Sequence, residues 1–167
     1  MASEIHENIV KACALYFKNK SNSFRIYLNP ECELWGVNGK PDLVAVAKKD
    51  NVHVLEVEPT IKDVLKEISA HGIFQVMNYP GDKRWLALPN EEFLKAREKI
   101  IEKCSINNVG LFVTKPRGGE MYAEKILEAK QAISPHASLG RPPNTMLKKY
   151  TRLLERFIQG NDDSSKL

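Results

Sequence analysis

Apolar residues recur at helical spacing along the first segment, where Ile5, Ile9, Ala12, Cys13 and Tyr16 fall on one stripe. Ser3 stands where an N-cap belongs, and the spacing predicts a helix from there to about Lys18. The period then shortens. Phe24–Leu28 reads as a strand, Asn29-Pro30 as a turn and Asn38-Gly39 as another. Asp42–Ala47 and Val52–Glu58 read as two half-buried strands joined across Lys48–Asn51, a predicted hairpin. Helical spacing returns over Thr60–Tyr79, with Thr60 as cap and Pro80-Gly81 as stop. Arg84–Leu88 is a short apolar strand, and Asn90 caps a helix from Glu91 to about Lys103. Val109–Val113 is a buried strand, and Tyr122–Ile133 is read as helical.

The predicted order is α-β-β-β-α-β-α-β, an α/β fold with a mixed sheet flanked by helices. The early hairpin is antiparallel, and the later β-α-β crossovers favour parallel neighbours. Residues 1–133 form the expected domain. SPHASLGRPPN (Ser134–Asn144) reads as a linker, and residues 145–167 as an appended amphipathic basic helix with a frayed tail. On that helix, Thr145–Gln159, the stripe is Met146, Tyr150, Leu153, Leu154, Phe157 and Ile158, with Lys148, Arg152 and Arg156 at i, i+4, i+8. Its apolar stripe needs a cover: the domain itself, a second subunit in a homodimer, or another partner.

Composition narrows the class. With 167 residues, 43% hydrophobic and 28% charged, the chain is long enough for one sizeable core. It has no apolar run of the roughly 20 residues that cross a bilayer and no apolar signal-peptide core at its start, so a cytoplasmic protein is expected. Cys13, Cys32 and Cys104 lack CxxC spacing, which favours reduced thiols. A formal charge of +4 permits a polyanionic partner without requiring one.

The candidate chemistry lies in NGKPDLVAVAKKDNVHVLEVEPT (Asn38–Thr60). Asp42 begins one strand of the hairpin, and Glu56 and Glu58 end the other on a shared face. An antiparallel pairing therefore converges three carboxylates at one sheet edge, where like charges repel unless something positive intervenes. Hard oxygen donors suit Mg²⁺ or Mn²⁺, ions that keep waters and accept a substrate phosphate. The bland alternative is a solvated strand end.

These residues resemble the PD-(D/E)xK nuclease superfamily, with its restriction-endonuclease-like fold, in its RecB-like and archaeal Holliday-junction-resolvase-like forms. Pro41-Asp42 matches the first half-motif and Glu56-Val57-Glu58 the second; Gly39-Lys40-Pro41-Asp42 is similar to its GxxD form. Gln75-Val76-Met77-Asn78-Tyr79 is similar to the QxxxY motif of the RecB-like branch, and Glu7 resembles a first-helix glutamate of the resolvases. The resemblance spans about Glu7 to Val113. It implies divalent-metal-dependent hydrolysis of DNA phosphodiesters. Asp42, Glu56, the Val57 carbonyl and Glu7 would serve the metal, with Gln75 and Tyr79 on phosphate or a ligated water. One departure stands out. Glu58 occupies the position where the superfamily usually has lysine, which leaves three options. The carboxylate could act as base or second metal ligand, Lys40 or Lys62 could supply the charge, or the fold could be retained for nucleic-acid binding or assembly without catalysis.

Other polar residues are weaker signals. His71 precedes Gln75 by one turn; it and His53 read as structural, and His6 and His136 carry no distinguishing pattern. Lys48, Lys49, Lys83, Arg84, Lys115 and Arg117 are the candidate phosphate contacts, the last two in a TKPRGGE loop. Neither a single-strand stacking platform nor a groove-reading element is recognisable.

Overall fold

A computed structural model describes residues 3–20, 24–32, 40–48, 51–66, 72–77, 79–132, 155, 156 and 158–167. Helix α1 (Glu4–Lys20) leads into β1 (Arg25–Leu28), β2 (Glu31–Cys32), β3 (Leu43–Val46) and β4 (Val52–Val57). Short helices α2 (Ile61–Val64) and α3 (Gly72–Met77) precede β5 (Lys83–Pro89); α4 (Asn90–Leu94) and α5 (Arg97–Ile106) precede β6 (Gly110–Arg117). The chain then turns into β7 (Glu120–Leu127), and β8 (Ile158–Gln159) and a 3-10 turn at Ser164–Lys166 follow.

Six strands form one mixed sheet in the order β1-β3-β4-β5-β6-β7. The first three are antiparallel, β4-β5-β6 are parallel and β7 returns antiparallel. β3 is buried along its whole length, because helices cover both faces of the sheet and leave no polar side. On one face, Leu43, Ala45, Leu55, Val57, Trp85 and Phe112 pack against Ile9, Cys13, Ala14 and Phe17 of α1. On the other, Val44, Val54, Leu86 and Leu111 meet Ile73 and Val76 of α3 and Ile100 and Cys104 of α5. Ser3 starts α1 as expected, its Oγ accepting the His6 N–H at 3.2 Å. Among the described residues no helix is long and apolar enough to cross a membrane.

Several expected elements differ. The Thr60–Tyr79 helix is two short helices, with residues 67–71 outside the described set. The Glu91–Lys103 helix is broken at Ala96, whose φ of −150° leaves the helical region. Of the segment expected to be helical, Tyr122–Ile133, residues 122–127 belong to strand β7 and residues 128–132 are neither helix nor strand. The cause of the strand is the turn Gly118-Gly119, with φ of 57° and 83°: two successive left-handed residues make the tight hairpin that folds β7 back on β6.

The end of the chain is not frayed. Most of the expected Thr145–Gln159 helix lies outside the described residues, and Ile158–Gln159 is strand, paired with β2. Residues 158–167 form an arm along β1. Asp162 Oδ1 accepts the Ile26 N–H at 3.0 Å, Asp163 Oδ2 accepts that of Leu28 at 2.9 Å, and the Asp163 N–H donates to the Ile26 carbonyl at 2.6 Å. Upstream, Glu155 holds Arg25 Nε at 2.7 Å and accepts the Tyr27 hydroxyl at 3.0 Å.

The tightest packing lies where β5 meets β6. A Cβ at Gly110 would stand 2.3 Å from Trp85 Cε3 and 2.6 Å from the Ala129 nitrogen. Trp85 cannot swing away, being stacked between His53 and Phe112. Gly110→Ala is therefore expected to destabilise the fold by roughly 1–3 kcal/mol or more through overpacking. Urea unfolding would show this as a lower midpoint with an unchanged slope.

Candidate active site at the β3–β4 edge

The antiparallel register sets Leu43 opposite Leu55 and so brings Asp42 beside Glu56 on one face. That face belongs to the apolar layer under α3, so Glu56 is 8% exposed and Glu58 6%. Asp42, at the strand mouth, does a backbone's work with its side chain: Oδ2 accepts the Val57 N–H at 2.8 Å. In a strand a residue's N–H and C=O point to the same neighbour, which directs the Val57 carbonyl toward the Asp42 side as well.

Helix α3 ends at Met77, and Tyr79 follows in a turn closed by its N–H to the Val76 carbonyl at 3.2 Å. The ring is fully buried. Its hydroxyl lies 2.9 Å from Glu56 Oε2 and 3.0 Å from the Lys40 carbonyl, two acceptors for one proton. The hydroxyl is the donor to either acceptor, and its single proton serves one of them at a time. Burial first, and then the negative charge of Asp42, raises the Glu56 carboxyl well above its usual range. Burial likewise raises the Tyr79 phenol, next to which Glu56 adds its own charge. Gln75 donates to the Tyr79 oxygen from α3. Gln75 and Tyr79 thus both lie beside the acidic cluster.

The positive group at this edge comes from α1. His6 Nε2 lies 3.2 Å from Asp42 Oδ1, and this hydrogen bond raises the imidazole above its ordinary value. Nδ1 is buried with no partner among the described residues, so Asp42 alone holds the ring by hydrogen bonding. Sequence reasoning set His6 aside and chose Glu7, which is exposed. The only available hint was His6's position one residue before the chosen glutamate.

The remaining candidates separate. Lys40 places its ammonium on Glu31, and only its carbonyl joins the site. Lys62 is exposed on α2. Glu58 accepts the Gly72 N–H at 3.0 Å at the start of α3. Arg84 is buried and donates Nε to the Tyr79 carbonyl at 2.8 Å, so it braces the turn and is not open to phosphate. Burial lowers its guanidinium to about 10. Lys48 is exposed at the opposite end of β3 from Asp42, and Lys49, His71 and His136 lie outside the described residues. Lys83 is half-buried at the start of β5. Lys115 and Arg117 lie in strand β6, not in a loop. Lys115 holds Glu124 at 2.7 Å and Arg117 lies over the Tyr122 ring at 5.6 Å. In the parallel register Leu111 is the β6 residue level with Glu56, two strands away, and Lys115 and Arg117 lie four and six residues farther along β6, roughly 15–20 Å from Glu56.

Among the described residues no group of three or more His, Cys, Asp or Glu side chains is arranged to hold a metal ion. A set of two carboxylates and one main-chain oxygen asks for less. Asp42, Glu56 and the Val57 carbonyl provide hard donors, and among the described residues the buried Glu56 carboxyl has no cation of its own.

No protein-family model and no curated protein sequence matches the chain. Among solved structures it is similar to a protein of unknown function from Silicibacter pomeroyi, with a TM-score of 0.55 and 12% identity, covering 94% of this chain and 85% of that one. This likeness shows a shared fold.

The two described histidines should titrate in opposite senses. His53, buried among Phe17, Phe24 and Trp85, is lowered to about 4 by burial and accepts the Trp85 Nε1–H at 3.0 Å. NMR titration should show His53 neutral down to about pH 4 and His6 protonated above the ordinary histidine value, and Asp42→Asn should lower the His6 midpoint. His53 gives stability a matching pH dependence. Between about pH 6.5 and 4 the unfolded chain binds a proton that folded His53 refuses, so this contribution to stability declines as pH falls through that window.

Proposed function

We propose that the chain is a divalent-metal-dependent nuclease of the PD-(D/E)xK type, hydrolysing DNA phosphodiesters on a restriction-endonuclease-like fold. The observation that carries this reading is the meeting of Asp42 and Glu56 with Tyr79 and Gln75 at one sheet edge. Two sequence motifs 33 residues apart, from Asp42 to Gln75, thus serve a single cluster.

Asp42, Glu56 and the Val57 carbonyl would hold Mg²⁺ or Mn²⁺. When bound, the cation supplies Lewis acidity at a phosphoryl oxygen and charge for the departing oxygen. The protein's own groups prepare the place. The Val57 N–H and His6 fix the two Asp42 oxygens, and Tyr79, oriented by Gln75 and the Lys40 carbonyl, fixes Glu56. The outward-facing Asp42 side, 13% exposed, is where a phosphate meets the cluster, since Glu56 and Tyr79 are enclosed.

A second reading, nucleic-acid binding or assembly without cleavage, is favoured by Glu58 and Lys40. The carboxylate in the usual lysine position is engaged by Gly72, and the nearest lysine in sequence pairs with Glu31.

Cleavage of single strands, duplex, flap and four-way junction with Mg²⁺ or Mn²⁺ tests the two. On the nuclease reading the wild type cuts at least one substrate. Asp42→Asn and Glu56→Gln then lose about 100-fold or more, and Tyr79→Phe, which acts through Glu56, loses roughly 10- to 100-fold. Mg²⁺ should also raise the melting temperature of the wild type and not that of Glu56→Gln. A wild type that binds nucleic acid, cuts nothing and gains cleavage with Glu58→Lys would establish the second reading. A wild type that neither cuts nor responds to Mg²⁺ overturns the first.

A further inference from the structure

A cleft of about 760 Å³ opens beside the acidic cluster at Asp42. Asp42 and His6 lie on its floor, Val10 and Leu28 give it apolar wall, and Lys11 and Lys166 supply cations from opposite sides. Lys11 lies one turn beyond Glu7 on α1 and is exposed, with no carboxylate partner among the described residues. Lys166 comes from the arm along β1. It is 74% exposed and lies 3.1 Å from Asp163, a surface pair that exchanges easily for another anion.

We propose that a nucleic-acid strand enters between α1 and the arm, and that Lys11 and Lys166 are the phosphate-positioning pair that sets it over Asp42. The inference rests on the phosphodiester reading for the identity of the strand. Charge complementarity selects this occupant. The floor acid is already paired with His6, which leaves Lys11 to be matched, Lys166 in an exposed pair with Asp163 that another anion can enter, and Glu7 as the opposing charge on the wall. The volume holds a nucleotide-sized group, and the apolar wall suits a sugar or a base edge. The arm is held firmly enough to position a side chain: Asp162 and Asp163 bond main-chain groups of β1, and Lys18 Nζ donates to the Leu167 carbonyl at 3.0 Å. None of the phosphate contacts suggested by sequence lies on this cleft, whose lysines stand 155 positions apart in the chain by number, 11 against 166.

The test is binding of fluorescein-labelled single-stranded and duplex 20-mers in EDTA, which suppresses hydrolysis, across a salt series. Lys11→Gln/Lys166→Gln should weaken binding and flatten the dependence of log affinity on log salt by roughly 1.4–1.8, the loss of two phosphate contacts. Lys11→Arg/Lys166→Arg should keep the wild-type slope. Arg97→Gln/Lys99→Gln, the same charge change on α5 across the sheet, should leave it unchanged. Equal slopes for the wild type and the Lys11/Lys166 double glutamine variant overturn the inference, as does a wild type that binds neither oligonucleotide. The two proposals fail separately. A wild type that never cuts, yet loses its salt slope with these lysines, removes the nuclease reading and keeps the cleft. Cleavage abolished by Asp42→Asn, with binding indifferent to both lysines, does the reverse.

Discussion

The organising constraint is a carboxyl group in an apolar layer. Glu56 lies on the face of β4 that carries Val52 and Val54, and everything around it follows from the need to keep such a group tolerable there. Tyr79 closes one side, and Gln75 holds Tyr79. Asp42 adds charge, which His6 partly answers from a different layer of the fold. Structural groups elsewhere have simpler surroundings. Thr114 Oγ1, for instance, is buried without a partner among the described residues, on a strand where no other chemistry gathers.

Rigid strands and mobile chemistry meet at Pro41-Asp42. The backbone ladder between β3 and β4 stops there, and the aspartate carboxylate continues it to Val57. One oxygen is thereby committed to structure, while the other faces His6 and the cleft. The site combines a group fixed by the sheet with an approach bounded by two elements from opposite ends of the described chain, α1 and the arm. Neither boundary belongs to the hairpin that supplies the acids.

Legibility in the sequence tracked how local each determinant is. The strands β1, β3, β4, β5 and β6 are readable because alternation and apolar runs are short-range patterns; strand pairing is what sets Asp42 beside Glu56, whereas Gln75 and Tyr79 enter only through the QxxxY resemblance, and Tyr79 stands in a turn beyond α3. His6 is not readable, because the choice between His6 and Glu7 depends on how α1 is rotated on the sheet, a tertiary fact. The β7 segment EMYAEKIL is rich in helix formers, and only the preceding Gly118-Gly119 announces a hairpin. In the sequence the same pair reads as part of a TKPRGGE loop. Arg84 looked like a surface cation in the sequence; its burial depends on the Tyr79 turn, which packs back across β5.

The two outer strands of the sheet have different fates. β1 has side-chain carboxylates of the arm on the N–H groups of Ile26 and Leu28, so this rim offers no open ladder there. β7 is the opposite rim, with its own charges engaged within the chain at Lys115–Glu124 and Lys125–Glu128. A sheet blocked on one rim cannot extend in both directions. Strand-to-strand association through β7 would be isologous and would stop at a closed pair, whereas growth into fibres would first require the arm to leave β1.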